Sequence, residues 1–296
     1  MAAHYYIASD LLGLIRRASL SRRRFMTASA AAAAGYTLAA GPVRAKPITT
    51  SASGLETGTA KIETSEGEMP AYFAKPEGAR NPPVILVCME IFGLHEYIKD
   101  VTRRLAKLGA FAIAPDYYFK LGDLTKIANP KELMPLVNSK ADSELVSDLD
   151  ATVRWAKSQG GDVSKLGILG FCRGGRAVWV YCAANPDVKA GVAFYGSLVD
   201  SAAQKEIWPR SPIELAADMK APVLGLYGGD DQGIPQTQVD MMKAALAAAG
   251  KTAEFKIYPG AGHGFHADYR TSYDADASKD AWIQAENWFK RWSVLR

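Results

Sequence analysis

The sequence predicts an α/β fold built on a mainly parallel twisted sheet with helices on both faces. Three observations carry that expectation. Short apolar runs recur along residues 84–258, each with the composition of a strand buried on both faces. Longer amphipathic stretches lie between them, with apolar residues at helical spacing. Glycine-rich turns mark several of the handovers from strand to helix.

In chain order, residues 46–58 are rich in Thr, Ser and Gly and read as a linker, so the domain is expected over residues 59–296. Residues 59–64 and 69–74 read as two strands joined by Ser65-Glu66-Gly67-Glu68, a hairpin on the sheet edge. Residues 84–89 and 111–114 suit buried parallel strands, with an amphipathic helix over 97–108 between them. A further helix over 142–158 is stopped by Gly160-Gly161. The strand-like run 166–169 then passes through a glycine-rich turn into a helix-like stretch over 177–184. Strands follow over 190–195, 222–227 and 253–258, with helices over 235–249 and 278–292. Two segments break the alternation: 117–141, and 197–219 with its Trp208-Pro209-Arg210-Ser211-Pro212 run. Both follow strand C-termini, where open parallel sheets place their ligands, so both are candidate pocket walls.

Hydrophobic residues make up 48% of the 296 and charged residues 22%, enough apolar surface for one large core and too little charge for a disordered chain. Ahead of the domain, Ser21-Arg22-Arg23-Arg24-Phe25-Met26 precedes an alanine-rich, uncharged run over 27–40, which resembles a twin-arginine export signal. That run is too short and too weakly apolar for a stable membrane span. Val43-Arg44-Ala45 has the small residues that a signal peptidase reads, so cleavage is expected before Lys46. The expected partner of the precursor is therefore the twin-arginine export machinery, and the expected location is periplasmic or secreted. Residues 1–45 hold six of the 35 basic residues and one of the 31 acidic ones, leaving 29 against 30. A near-neutral domain argues against a nucleic-acid partner, which needs a basic surface. Of three cysteines, Cys88 sits inside an apolar run and reads as a buried strand residue. Cys172 and Cys182, on one helix, would lie ~15 Å apart along its axis, beyond disulfide reach.

Cys172 stands in Gly170-Phe171-Cys172-Arg173-Gly174-Gly175, between the 166–169 strand and the following helix. Glycines two before and two after a reactive residue let a strand turn sharply into a helix, because side chains there would collide with the neighbouring strand and helix. This is a nucleophile elbow carrying sulfur. A helix N-terminus favours the thiolate through its dipole and unpaired N–H groups. The bland alternative is a buried cysteine acting as a small hydrophobe. Against it, carboxylates at Gly228-Gly229-Asp230-Asp231 and then His263 in Gly260-Ala261-Gly262-His263-Gly264-Phe265 follow in nucleophile, acid, base order. His263 would take the thiol proton and return it to the leaving group, with His95 and His266 as its rivals. Asp230 and Asp231 compete to orient the imidazole. The backbone N–H groups of Arg173 and of Ile91, in the loop after the 84–89 strand, are the expected oxyanion donors. His263-Gly264-Phe265-His266 lacks the spacing of a zinc site, and no glycine-rich dinucleotide or phosphate motif occurs, so neither a metal nor a cofactor is expected.

Over about residues 59–292 these motifs resemble the dienelactone hydrolase (carboxymethylenebutenolidase) family of the α/β-hydrolase fold. The marks are Met89-Glu90-Ile91-Phe92-Gly93-Leu94, Ala114-Pro115-Asp116-Tyr117-Tyr118, the Cys172 elbow, Ala193-Phe194-Tyr195-Gly196, Gly228-Gly229-Asp230-Asp231-Gln232-Gly233-Ile234-Pro235 and Gly262-His263-Gly264-Phe265. The resemblance implies a Cys172, Asp231, His263 triad; Asp231 lies four residues before Pro235, as the family's aspartate does. It also implies that Glu90 pairs with the resting thiol and gates its ionisation. The alternative for Glu90 is a buried carboxylate satisfied by backbone donors or an arginine. One departure stands out: where the family places an arginine for the substrate carboxylate, four residues after the histidine, this chain has Ala267, with Arg270 three further on. Tyr117, Tyr118, Tyr195 and Arg270 are the candidate pocket residues. The expected activity is opening of an ester or lactone through an acyl-enzyme. A broad carboxylesterase or thioesterase, or a secreted ligand-binding relative without turnover, are the alternatives.

Overall fold

The computed structural model describes residues 48–127 and 129–296. The expected export leader over residues 1–45, its cleavage point and the first two residues of the expected linker lie outside the described residues. Eight strands form one sheet in the order β1-β2-β4-β3-β5-β6-β7-β8. The strands are β1 Leu55–Thr64, β2 Gly67–Pro76, β3 Pro83–Cys88, β4 Phe111–Pro115, β5 Asp162–Phe171, β6 Val188–Phe194, β7 Val223–Gly228 and β8 Ala253–Tyr258. The β1–β2 hairpin and the β2–β4 pair are antiparallel, and every other pairing is parallel. The helices are α1 Glu96–Lys107, α2 Pro130–Val137, α3 Asp142–Ser158, α4 Arg173–Ala184, α5 Gln236–Ala248 and α6 Ala275–Arg291. This is the α/β-hydrolase fold that the alternation of strands and helices predicts. No described helix is long and apolar enough to cross a membrane.

Burial explains which strands the sequence makes obvious. Residues Val84 to Cys88 are fully buried, as are Ile168 and Leu169 of β5, because helices cover both faces of the central strands. The first half of β5, Asp162-Val163-Ser164-Lys165, is polar and partly exposed, so the apolar run reveals only its second half. At the sheet edge, β1 starts at Leu55, four residues before the expected start, because its backbone continues the ladder from Leu55 against Pro76.

The expected linker is therefore partly a strand, and the residues before it are held as well. The Ile48 N–H donates to Asp268 at 3.0 Å and the Thr50 N–H to Asp100, while Arg103 Nε donates to the Thr50 carbonyl at 3.0 Å. A Thr, Ser and Gly composition signals weak intrinsic preference, and here buried carboxylates override it. Residues 117–141 fold as two single turns, Phe119–Leu121 and Leu124–Lys126, followed by α2. Residues 197–219 carry two short turns, Ala202–Gln204 and Pro212–Asp218.

Chain order sets where a ligand can sit. From β3 the chain moves to β4 on one side, and from β4 it crosses to β5 on the other. β3 and β5 are neighbours, so the crevice beyond their C-terminal ends is the switch point at which such sheets bind ligands. Met89, Glu90 and Ile91 leave β3 at that end, and Cys172 leaves β5 beside them.

Candidate active site

Cys172 occupies the turn between β5 and α4 with φ 53° and ψ −114°, a conformation that an L-residue adopts only under constraint. Its N–H donates to the Phe194 carbonyl at 3.0 Å, and its carbonyl accepts from Arg176 N at 3.1 Å, which fixes both sides of the bend. A Cβ on Gly170 would stand 2.2 Å from the Gly174 carbonyl oxygen, and one on Gly174 would stand 2.2 Å from that of Cys88. Strand and helix thus touch backbone to backbone, as the glycine spacing predicts. The sulfur sits at the N-cap of α4, where the dipole and unpaired N–H groups favour an anion. The Cys172 residue is only 4% exposed, whereas Cys88 and Cys182 are fully buried and burial pushes both thiols up.

His263 and Asp231 meet as the sequence order suggests. Asp231 Oδ2 lies 2.8 Å from His263 Nδ1, and Asp231 Oδ1 accepts the N–H groups of Gly233 at 2.8 Å and Ile234 at 3.1 Å. Two backbone donors hold the carboxylate so that its other oxygen reaches the ring. The competing Asp230 is half-buried, and its side chain is not the one that meets the ring. Burial opposes charge on His263, but the Asp231 carboxylate and Cys172 outweigh it and hold the imidazole well above its ordinary range. With Nδ1 taken, Nε2 is the nitrogen left for Cys172; it is buried and makes no hydrogen bond of strict geometry. The Cys172 thiol is near enough to act on the ring, since it is among the groups that raise its pKa. Tyr195 packs on this histidine with ring centres 5.1 Å apart, from a backbone at φ 37°. It is fully buried.

Glu90 departs from the pairing implied by the resemblance. Its fully buried carboxylate faces Arg270 Nη2 at 2.9 Å, Tyr269 Oη at 2.6 Å and His95 Nε2 at 3.6 Å, and not the Cys172 thiol. Burial would raise its pKa, but Arg270, ahead of His95 and Tyr269, pulls it down to about 2. Glu90 is thus a carboxylate satisfied by an arginine. By the same contact Arg270, expected at the substrate, is engaged by the protein's own Glu90, and its guanidinium lies over the Phe92 ring at 4.8 Å. The rival histidines have other duties: His95 faces Glu90, and His266 lies among Phe171, Phe194 and Trp282 with Nδ1 2.6 Å from the Tyr97 hydroxyl. Burial, with help from Arg104, depresses His266 to about 3, so it stays neutral.

Ile91 and Arg173 flank the elbow, one just beyond β3 and the other as the first residue of α4, whose N–H has no acceptor within the helix. Tyr117 donates to the Met89 carbonyl at 2.8 Å and so ties the 117–141 segment to the same loop. Tyr117 and Tyr118 line a small cavity with Lys140, Arg173, Arg176 and Trp208. The sequence reading missed Arg176 and Tyr269. Tyr269 could have been suspected from its place beside Arg270, but Arg176 carries no local signal. Among the described residues no group of three or more His, Cys, Asp or Glu is placed to hold a metal ion.

An eight-stranded sheet with a strained thiol at its switch point, beside a buried imidazole and carboxylate, defines an α/β-hydrolase-fold enzyme class. The chain belongs to the dienelactone hydrolase family, whose profile matches residues 69–293. A relative in Methylorubrum extorquens named "Putative carboxymethylenebutenolidase" is 51% identical over 290 residues, spanning 97% of this chain and 98% of the relative. A relative of the same name in Escherichia coli K12 is 45% identical over 260 residues, spanning 87% and 95%. A solved structure from Klebsiella pneumoniae, titled a putative dienelactone hydrolase, superposes with a TM-score of 0.77 at 44% identity, spanning 80% of this chain and 99% of that one. The protein is a hydrolase acting on esters or lactones.

Proposed function

We propose that Cys172, His263 and Asp231 open the ester or lactone by nucleophilic catalysis through an acyl-enzyme. His263 Nε2 takes the thiol proton and the sulfur attacks the carbonyl carbon. The negative charge that develops on the carbonyl oxygen is held by the N–H groups of Ile91 and Arg173. Collapse of that adduct breaks the carbon–oxygen bond, and the leaving alkoxide, which in a lactone stays attached to the acyl chain, receives the proton from His263. A water, deprotonated by the same nitrogen, then attacks the thioester and the sulfur leaves. The observation that carries this reading is the 2.8 Å Asp231–His263 pair with its second ring nitrogen beside the Cys172 elbow.

The preferred substrate is an ester or lactone without a carboxylate of its own. Supporting this, Arg270 is engaged by Glu90, and Ala267 stands four residues after the histidine. We also propose that residues 1–45 direct the chain through the twin-arginine machinery to a periplasmic or secreted location. Changing Arg22 and Arg23 to Lys should then block precursor processing, and normal processing would remove this part of the reading.

A panel of charged and uncharged lactones and p-nitrophenyl esters tests the mechanism. Cys172→Ala should lose turnover by at least about 10³-fold, and Cys172→Ser should remain poor because a site arranged for a thiol ionises a hydroxyl badly. Full activity in either variant would remove the thiolate mechanism.

A further inference from the structure

Trp208 lies in the 197–219 segment, far in sequence from the elbow, yet it is almost fully buried against the first turn of α4. The guanidinium groups of Arg173 and Arg176 both pack on its ring, 4.4 and 4.3 Å from the centre. Its Nε1 donates to the Lys140 carbonyl at 2.8 Å, which joins the 117–141 segment to the same contact.

Arg176 cannot move to suit its neighbour. Its Nη1 and Nη2 donate to the two Asp142 oxygens at 2.6 and 3.0 Å, while Nε and Nη2 donate to Asp200 at 2.9 and 2.7 Å. A buried carboxylate, Asp200, and a half-buried one, Asp142, therefore fix a guanidinium, that guanidinium backs an indole, and the indole bears on Arg173. Arg173 is held further by Nη2 donating to Asn138 at 2.9 Å. The residue so held immediately follows Cys172 and starts the helix.

We propose that Trp208 is a positioning residue: by clamping the Arg173 side chain it sets the direction of the Arg173 N–H that receives the oxyanion. This rests on the reading above, in which that N–H is an oxyanion donor. Both interrupted segments then have a shared purpose, since each contributes to the clamp as well as to the cavity wall. An N–H group stabilises developing charge only when aimed at it, and a misplacement of a fraction of an ångström is costly.

The test separates oxyanion stabilisation from thiol reactivity. Alkylation of Cys172 by iodoacetamide needs the thiolate but forms no oxyanion, whereas p-nitrophenyl acetate hydrolysis needs both. Trp208→Ala and Arg173→Met should each lower kcat by about 10- to 100-fold with KM within about threefold of wild type. Trp208→Phe, which keeps an aromatic face, should recover to within about fivefold of wild type. Combining Trp208→Ala with Arg173→Met should cost no more than the worse single change, because both remove one contact. Alkylation should stay within about twofold throughout. Unchanged kcat in Arg173→Met, an equal fall in alkylation, or a Trp208→Phe variant as poor as Trp208→Ala would each overturn the proposal. If Trp208→Ala does not fold, Trp208→Phe and Arg173→Met decide the matter by the same criteria. Failure of the underlying mechanism looks different, because Cys172→Ala would then turn over normally.

Discussion

Replacing Arg270 by Met tests what holds Glu90. The carboxylate is fully buried, and its charge is sustained by Arg270 at 2.9 Å with support from Tyr269 and His95. Its pKa of about 2, against an ordinary 4.5, corresponds to about 3 kcal/mol favouring the ionised form in the folded state. The sign follows: a depressed carboxylate contributes stability above its ordinary pKa and loses it as pH falls from about 4.5 through about 2. Without the guanidinium, burial dominates and the group instead resists ionisation. Met preserves much of the apolar contact with Phe92 and Tyr269, so the loss reports chiefly on charge. Arg270→Met should cost about 3 kcal/mol at pH 7, and the deficit should shrink at pH 4 as Glu90 takes up a proton. Adding Glu90→Gln should restore at least about half of it, since a neutral amide tolerates burial and still accepts from Tyr269. Urea unfolding followed by tryptophan fluorescence at both pH values measures this. A deficit below about 1 kcal/mol, or no recovery in the double variant, would refute the argument.

Three further outcomes are expected. Gly174→Ala places a Cβ 2.2 Å from the Cys88 carbonyl oxygen, between backbones that cannot yield, and should lower stability by about 3 kcal/mol or more in thermal unfolding. Asp231→Asn should cost more stability at pH 5 than at pH 9 in urea titrations: the raised His263 pKa stabilises the fold below the imidazole's ordinary ~6.5, and that contribution fades as pH rises through the folded value. A chain starting at Leu55 should be less stable than one starting at Ile48 by about 2 kcal/mol, because buried Asp100 and Asp268 each lose a backbone donor; equal melting temperatures would contradict this.

The parts of the fold legible in the sequence are those set by local periodicity. Helix α3 and strand β8 fall on the expected residues because each has a pattern that its surroundings do not contradict. β5 and β1 were legible only in part. The first is polar where it is exposed, and the second is an edge strand whose pairing depends on backbone groups and little on side chains. The ordering of residues 48–54 was illegible, since its acceptors stand 50 and 220 residues away.

The candidate site divides along the same line. The Cys172 bend is dictated within six residues, because only glycine fits two places where backbones touch, and its strained dihedrals follow from that contact. His263 and Asp231 are each placed by a turn after a strand, and strands β7 and β8 are neighbours, so their C-terminal turns necessarily meet. Glu90 is different. Its loop is as recognisable as the elbow, yet its partner comes from 180 residues away, where the loop after His263 folds back over the sheet. A buried carboxylate takes the strongest donor within reach, and nothing local to Glu90 says whether that donor is a thiol or a guanidinium. Trp208 shows the same rule from the other side: its two cations come from α4, its carbonyl acceptor from the 117–141 segment, and its own segment gives only a Trp-Pro run. Chemistry that the backbone imposes can be read from a motif, whereas chemistry chosen by competition among distant side chains becomes legible only when the loops are in place.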